Sequence, residues 1–375
     1  MHLARYDSET NREQTLREHS STVSALCKTY GEPIGCPHLG ELCGLIHDAG
    51  KAKQEFQEYL LSGDTRLRGK INHTSAGARY IIEKYGKSSD IYQACTAQVV
   101  ALAVCSHHSG LIDCIDTSGL DRFRSRLYPD KDIGYEESIS NFETGYIRAE
   151  SLDTLFQKAV EETRQILEPI LRRQEIKQEQ PFYFALFARY LLSCVIDADR
   201  YDAYCFGAGL PTQDPDYGLE TTWQELADNL EYYLSTEMRK DREIDRLRAD
   251  ISDTCRQAAA HPGGIYRLCV PTGGGKTLAS LRYAIQHAIL HKKRRIIYAI
   301  PFTTIIDQNA DVIRKSLKKD QVILEHHSNL IQEPEDTGLT EPDEGDRRGL
   351  LTERWDVPII LTTTVQLLNT LFLGK

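Results

Sequence analysis

Near residue 261 the chain changes its hydrophobic period, and no other feature constrains its fold as strongly. From residue 10 to about 205, apolar positions recur every three or four residues, as in Leu16, Val23, Leu26 and Tyr30, or Phe184, Phe187, Leu191 and Cys194. That is the spacing of one buried helical face, and no alternating strand is expected there. Beyond a His-Pro-Gly-Gly turn at 261–264, short β-rich runs take over: 265–270 (IYRLCV), 295–300 (RIIYAI), 322–327 (VILEHH) and 358–363 (PIILTT). Helical stretches such as 278–291 separate them, which implies a parallel sheet with crossover helices. The fold class expected is multi-domain, an all-α unit followed by the beginning of an α/β unit.

A length of 375 residues suits two domains. The Gly- and Pro-containing run 207–218 (GAGLPTQDPDYG) closes the helical region with turn chemistry. The expected division is therefore 1–215 for the first domain, 216–262 for a helical linker of two helices (within 222–260), and 263–375 for the α/β part. Residues 331–347, acidic with Pro and Gly, read as an exposed loop. With 41% apolar and 27% charged residues the chain has the composition of a globular protein rather than a disordered one.

The net charge of −10 excludes a uniformly basic, nucleic-acid-coating surface but leaves room for local basic clusters, at 292–295 and 314–319. The start of the chain lacks an apolar signal segment, and the longest apolar run, 99–105, is far short of the ~20 residues that cross a bilayer. A cytoplasmic protein with no membrane partner is expected. Ten scattered cysteines without a CxxC pair read as reduced core residues.

The chemistry of the helical part centres on His47-Asp48, which ends a helix with Leu39, Leu42, Cys43 and Ile46 on its apolar face. An imidazole and a carboxylate side by side can grip metal ions together, and the carboxylate can bridge two. His19 lies on an apolar helical stripe, where a neutral imidazole needs a hydrogen bond or a metal. His73 is placed at the start of a helix, and His107-His108 close another. Asp197, Asp199 and Asp202 fall in the otherwise apolar 185–204 segment, where an unpartnered carboxylate is costly and metal ligation removes the cost.

This ordered set, His19, His47-Asp48, His73, His107-His108 and Asp199, resembles the HD superfamily and, within it, the nuclease domain of CRISPR-associated nuclease-helicases of type I systems. The resemblance implies one metal on His19, His47, Asp48 and the late Asp, and a second on Asp48, His73, His107 and His108, with Asp48 as bridge. Asp199 is preferred to Asp197 as the late ligand, because Ala198-Asp199 aligns with the family's pair. An imidazole-rich set suits iron, manganese, cobalt or nickel better than magnesium. Lys51, one turn beyond Asp48, either assists at the phosphate or is an exposed helix-end lysine.

In the second part, Val270-Pro271-Thr272-Gly273-Gly274-Gly275-Lys276-Thr277 follows one β-rich run and opens a helix, the context of a phosphate loop. Backbone N–H groups of Gly273, Gly274 and Gly275 would wrap the phosphates of ATP, Lys276 would reach the terminal phosphates, and Thr277 would offer a hydroxyl to Mg. Val270 in place of the usual first Gly is shared by superfamily 2 helicases. Thr303-Thr304 and Thr363-Thr364 resemble the segments with which those motors hold the DNA backbone, although Thr-rich strand ends are also ordinary turn material. The only Asp-Glu dipeptide, 343–344, lies in the acidic loop, so no acidic Walker B pair follows a strand. The expectation is an all-α HD nuclease joined to the opening part of a RecA-like lobe, with weak or absent ATP turnover. By resemblance the substrate is single-stranded DNA and the partner an RNA-guided surveillance complex. Two other readings are an HD nucleotide phosphohydrolase with a regulatory nucleotide loop, and a non-catalytic module whose histidines are structural.

Overall fold

The computed structural model describes all residues except 1, 68, 147, 148, 174, 176, 213–221, 239, 240, 328–353 and 373–375. It separates into two compact units, whose described residues run from 2 to 212 and from 222 to 372. The first opens with a hairpin, β1 (Leu3–Asp7) and β2 (Arg12–Thr15), then runs through α1 (Leu16–Gly31), α2 (Pro37–Ile46), α3 (Gln54–Ser62), α4 (Ser75–Tyr85), α5 (Ile91–Ser106), α6 (Arg122–Leu127), α7 (Tyr135–Gly145), α8 (Ala149–Leu171) and α9 (Gln180–Ala208). The hairpin corrects the reading of residues 10–205 as helical throughout. Four polar residues (Arg12–Thr15) are too few to show a strand period, and the pairing with β1 that makes them a strand is not local.

Local chemistry fixes the helices that carry the centre. Thr15 and Glu18 form a reciprocal capping box at the start of α1. Glu162 of α8 accepts the backbone N–H groups of His38 and Leu39, holding the N-terminus of α2. Close approach of α2 to its neighbours depends on missing Cβ atoms. One on Gly44 would stand 2.8 Å from Val23 O and from Ser24 Cα of α1, and one on Gly50 would stand 2.2 Å from the His73 carbonyl oxygen. The result is a core of α1, α2, α5, α8 and α9 in which the ends of several helices converge.

By length and composition α9 is apolar enough to cross a membrane. Here it packs against α1, α2, α5 and α8 and buries Asp199 and Asp202. Seven of the ten cysteines are buried, as the sequence suggests, but Cys269 is exposed.

The second unit contains α10 (Trp223–Thr236), α11 (Glu243–Ala258), α12 (Lys276–Leu290), β3 (Ile296–Ile300), α13 (Thr303–Leu317), β4 (Ile323–His326), β5 (Ile359–Thr363) and α14 (Thr364–Phe372). The strands are parallel in the order β3-β5-β4. Leu226 and Leu230 of α10 share a core with Leu281, Ile306, Ile313 and Ile359, so α10 is packed onto the sheet unit rather than being a free linker. The expected strand at 265–270 is not formed: the segment pairs with nothing among the described residues, and Ile265, Tyr266 and Leu268 are exposed. β-propensity alone does not make a strand without a neighbour to satisfy its backbone. The 331–347 loop and its Asp343-Glu344 lie outside the described residues, as does half of the 207–218 turn, residues 213–218.

Candidate metal centre and phosphate loop

His47 caps the C-terminal end of α2 and Asp48 follows it, while Lys51 lies in the short 3-10 turn Ala49–Ala52. His19 comes from the first turns of α1, His107 and His108 from the end of α5, and Asp199 from the middle of α9. His73 precedes α4, which begins at Ser75, so it sits in the approach to that helix and does not open it as expected.

These side chains form two sets of ligand-type atoms that share Asp48: His19, His47, Asp48 and Asp199, and Asp48, His73, His107 and His108. The two carboxylate oxygens of Asp48 divide between them. Oδ2 lies 3.1 Å from His19 Nε2 and 3.3 Å from His47 Nε2. Oδ1 lies 3.6 Å from His107 Nε2 and 3.8 Å from His73 Nε2. Asp199 Oδ1 stands 3.5 Å from His19 Nε2. Asp197 belongs to neither set. The first set is buried throughout, whereas the second opens outward from buried His107 through part-buried His73 to exposed His108.

Four imidazoles are anchored by their far nitrogens. Nδ1 of His47 donates to Gly44 O at 2.8 Å, that of His107 to Val104 O, that of His73 to Ile71 O, and that of His19 to Asp202 Oδ2 at 2.7 Å. With Nδ1 so committed, each Nε2 is turned inward, where it could serve as a ligand. Two such nitrogens, on His19 and His47, face each other at 3.2 Å, and another pair, on His73 and His108, at 3.0 Å. With Nδ1 of both His19 and His47 committed, their facing Nε2 atoms require a proton or a cation between them, whereas neutral His108 can donate its Nε2–H to His73. Burial works against charge on His47, but Asp48 and Asp199 outweigh it and hold its pKa up at about 10. Asp48 Oδ1 and His107 Nε2 are buried without a hydrogen-bond partner. Such orphaned acceptors are costly, and a divalent cation would satisfy both. The residues therefore fit a divalent-metal centre.

Lys51 is buried, with Nζ 2.7 Å from Asp48 Oδ2, and is not the exposed helix-end lysine that was the alternative. Although burial opposes it, Lys51 and His47 together hold the Asp48 carboxyl well below the usual carboxylate range. Of three further residues of the centre, the sequence shows Asp202 only as a carboxylate in an apolar helix and gives no sign of Arg5 or Gln14. Asp202, fully buried, accepts from His19 Nδ1, Arg5 Nη1 and Gln14 Nε2, and Arg5 also bonds Asp199 Oδ1 at 2.7 Å. For Asp202 the signal was its position one helical turn from Asp199; Arg5 and Gln14, in a polar hairpin, carried none.

In the second unit, Gly275 adopts φ 81°, a left-handed conformation that favours glycine, at the N-cap of α12, and Lys276 and Thr277 open that helix. Gly273, Gly275, Lys276 and Thr277 border a cavity of about 380 Å³. Gly274 packs on Val270, and Thr277 Oγ1 donates to Asn309 Oδ1 at 2.9 Å. Thr303 and Thr304 follow β3, while Thr363 ends β5 and Thr364 opens α14. Because β3 and β5 are adjacent and parallel, all four threonines lie along the C-terminal edge of the sheet, where α/β folds place ligands.

Residues 16–129 match the HD domain family, and residues 253–373 match the DEAD/DEAH box helicase family. The chain thus joins an HD domain, which implies divalent-metal binding, to a DEAD/DEAH-type helicase domain. It is similar to solved structures of T. fusca Cas3. The ADP-bound structure is 16% identical with a TM-score of 0.48, covering 98% of this chain and 44% of that one. The AMPPNP-bound structure is 15% identical with a TM-score of 0.48, covering 99% and 45%. The chain spans less than half the length of those solved chains. No curated protein matches it.

Proposed function

We propose that the HD unit is a two-metal nuclease acting on single-stranded DNA, of the kind that serves type I CRISPR interference, and that the second unit belongs to an ATP-dependent motor that moves DNA. The observation that supports this reading best is the division of the Asp48 carboxylate between two sets of anchored imidazoles. His19, His47, Asp48 and Asp199 would hold one ion, and Asp48, His73, His107 and His108 the other. Manganese, iron, cobalt or nickel suits these nitrogen-rich sets better than magnesium. Such ions, when bound, neutralise charge on a phosphodiester and lower the pKa of an attacking water.

The chain's own residues supply the rest. Asp48 fixes the spacing of the two positions, and the anchored Nδ1 groups keep each imidazole from rotating away. Exposed His108 leaves the second set accessible to a strand, while the first stays closed. Lys51 keeps Asp48 ionised and adds positive charge where a phosphate would arrive. In the second unit Gly273, Gly274, Gly275 and Lys276 would cradle ATP, Thr277 would meet its magnesium, and Thr303, Thr304, Thr363 and Thr364 would hold the DNA backbone. ATP turnover by this chain alone is expected to be weak, since no acidic pair follows a strand among the described residues. By resemblance, the partner is an RNA-guided surveillance complex in the cytoplasm.

The test is incubation with circular single-stranded DNA, and separately with dNTPs, in manganese, cobalt or nickel, comparing the chain with Asp48→Ala. Circles cut by the chain but not by the variant support the proposal. Phosphate released from dNTPs while circles stay intact would replace it with a nucleotide phosphohydrolase.

A further inference from the structure

We infer that Asp307, Glu325 and His327 form a second, independent divalent-cation site, in the helicase unit. Asp307 lies in the second turn of α13, Glu325 in β4, and His327 directly after β4, at the C-terminal edge of the parallel sheet. One ligand atom from each lies within 4.8 Å of the others. His327 Nε2 is 3.5 Å from Asp307 Oδ1. Two donors each about 2.1 Å from one tetrahedral ion stand roughly 3.4 Å apart, so this pair is already near ligand spacing.

The observation that distinguishes the cluster from a chance group of acids is the imidazole. His327 is 1% exposed, and among the described residues neither of its ring nitrogens has a hydrogen-bond partner. Its neighbour His326 shows what a structural histidine looks like in the same place. Trp355 Nε1 donates to Nδ1 of His326, and its Nε2 meets the Gln366 amide at 3.1 Å, so both nitrogens are used. Leaving two buried polar atoms unmet next door is expensive unless a ligand meets one of them.

The carboxylates suit that role. Arg314 pairs with Oε1 of Glu325, leaving its other oxygen for an ion. Asp307 is 61% exposed and gives an ion a path in from solvent. One imidazole and two carboxylates, with remaining positions open to water, suit manganese, cobalt, nickel or zinc. The HD-unit residues take no part, so the inference stands or falls separately from the nuclease reading.

The test is equilibrium dialysis of the whole chain against manganese or cobalt, with metal analysis per chain, alongside Asp307→Ala and His327→Gln. Asp307 is an exposed helix residue, so its loss to Ala leaves folding intact, which circular dichroism checks. Both variants should bind one ion fewer than the parent. Equal stoichiometry in the parent and Asp307→Ala would overturn the inference, whatever His327→Gln does.

Discussion

The Nδ1–H of His19 donates to Oδ2 of Asp202 over 2.7 Å, with Nε2 of the same ring 3.1 Å from Asp48 Oδ2. Asp202→Asn keeps the volume but can present an amide N–H to Nδ1, favouring the tautomer whose proton sits on Nε2. Metal affinity should fall roughly 10- to 100-fold, the usual range for losing an orienting partner of a ligand histidine. Metal titration measures this, with circular dichroism as the folding check. Unchanged affinity in a folded variant would mean that Asp202 serves only to neutralise Arg5.

Metal uptake by the first set should expel a proton. His47 carries one at neutral pH, because Asp48 and Asp199 outweigh burial and hold its pKa up at about 10. Burial pushes His73 down to about 4, so it is already neutral and has none to release. The two carboxylates, held well below their usual range, stay ionised throughout. Since His47 must be neutral to bind, affinity should rise with pH up to that pKa and weaken as pH falls. Calorimetric titration in buffers of different ionisation enthalpy counts the protons, and a count of zero contradicts this account.

What could be read in the sequence depended on whether a residue's role was local. His47-Asp48 and His107-His108 are adjacent pairs at the ends of strongly periodic helices, and His19 lies on such a helix, so periodicity alone places them. Arg5 and Gln14 reach Asp202 across 197 and 188 residues from a hairpin with no apolar pattern, and only tertiary pairing reveals them. The same limit explains the run at 265–270, where β-rich composition could not say whether a partner strand lies alongside.

Gly50 should tolerate no side chain. A Cβ there would lie 2.2 Å from the His73 carbonyl oxygen, and that obstacle is backbone, which cannot swing aside. Gly50→Ala should cost about 1–3 kcal/mol, the range for overpacking a close contact. Because the displaced segment carries His73, the second metal should be lost before the first. Thermal melting and metal analysis read the two effects separately. A variant that keeps its melting temperature and both ions would show that the His73 segment can shift without consequence.

Lys276→Ala should separate the activities of the two units. Lys276 opens α12 beside the cavity bordered by Gly273 and Gly275, and its ammonium is the charge that would meet a terminal phosphate. Removing a hydrogen bond to a charged group costs about 1.5–3 kcal/mol, so nucleotide binding should weaken roughly 10- to 100-fold. The HD centre is built entirely from residues between Arg5 and Asp202. Cleavage of circular single-stranded DNA should therefore continue at the parent rate. Fluorescent-nucleotide titration and circle cleavage on the same preparation measure both. Loss of cleavage together with nucleotide binding would show that the nuclease needs an occupied phosphate loop, and that the units are not independent.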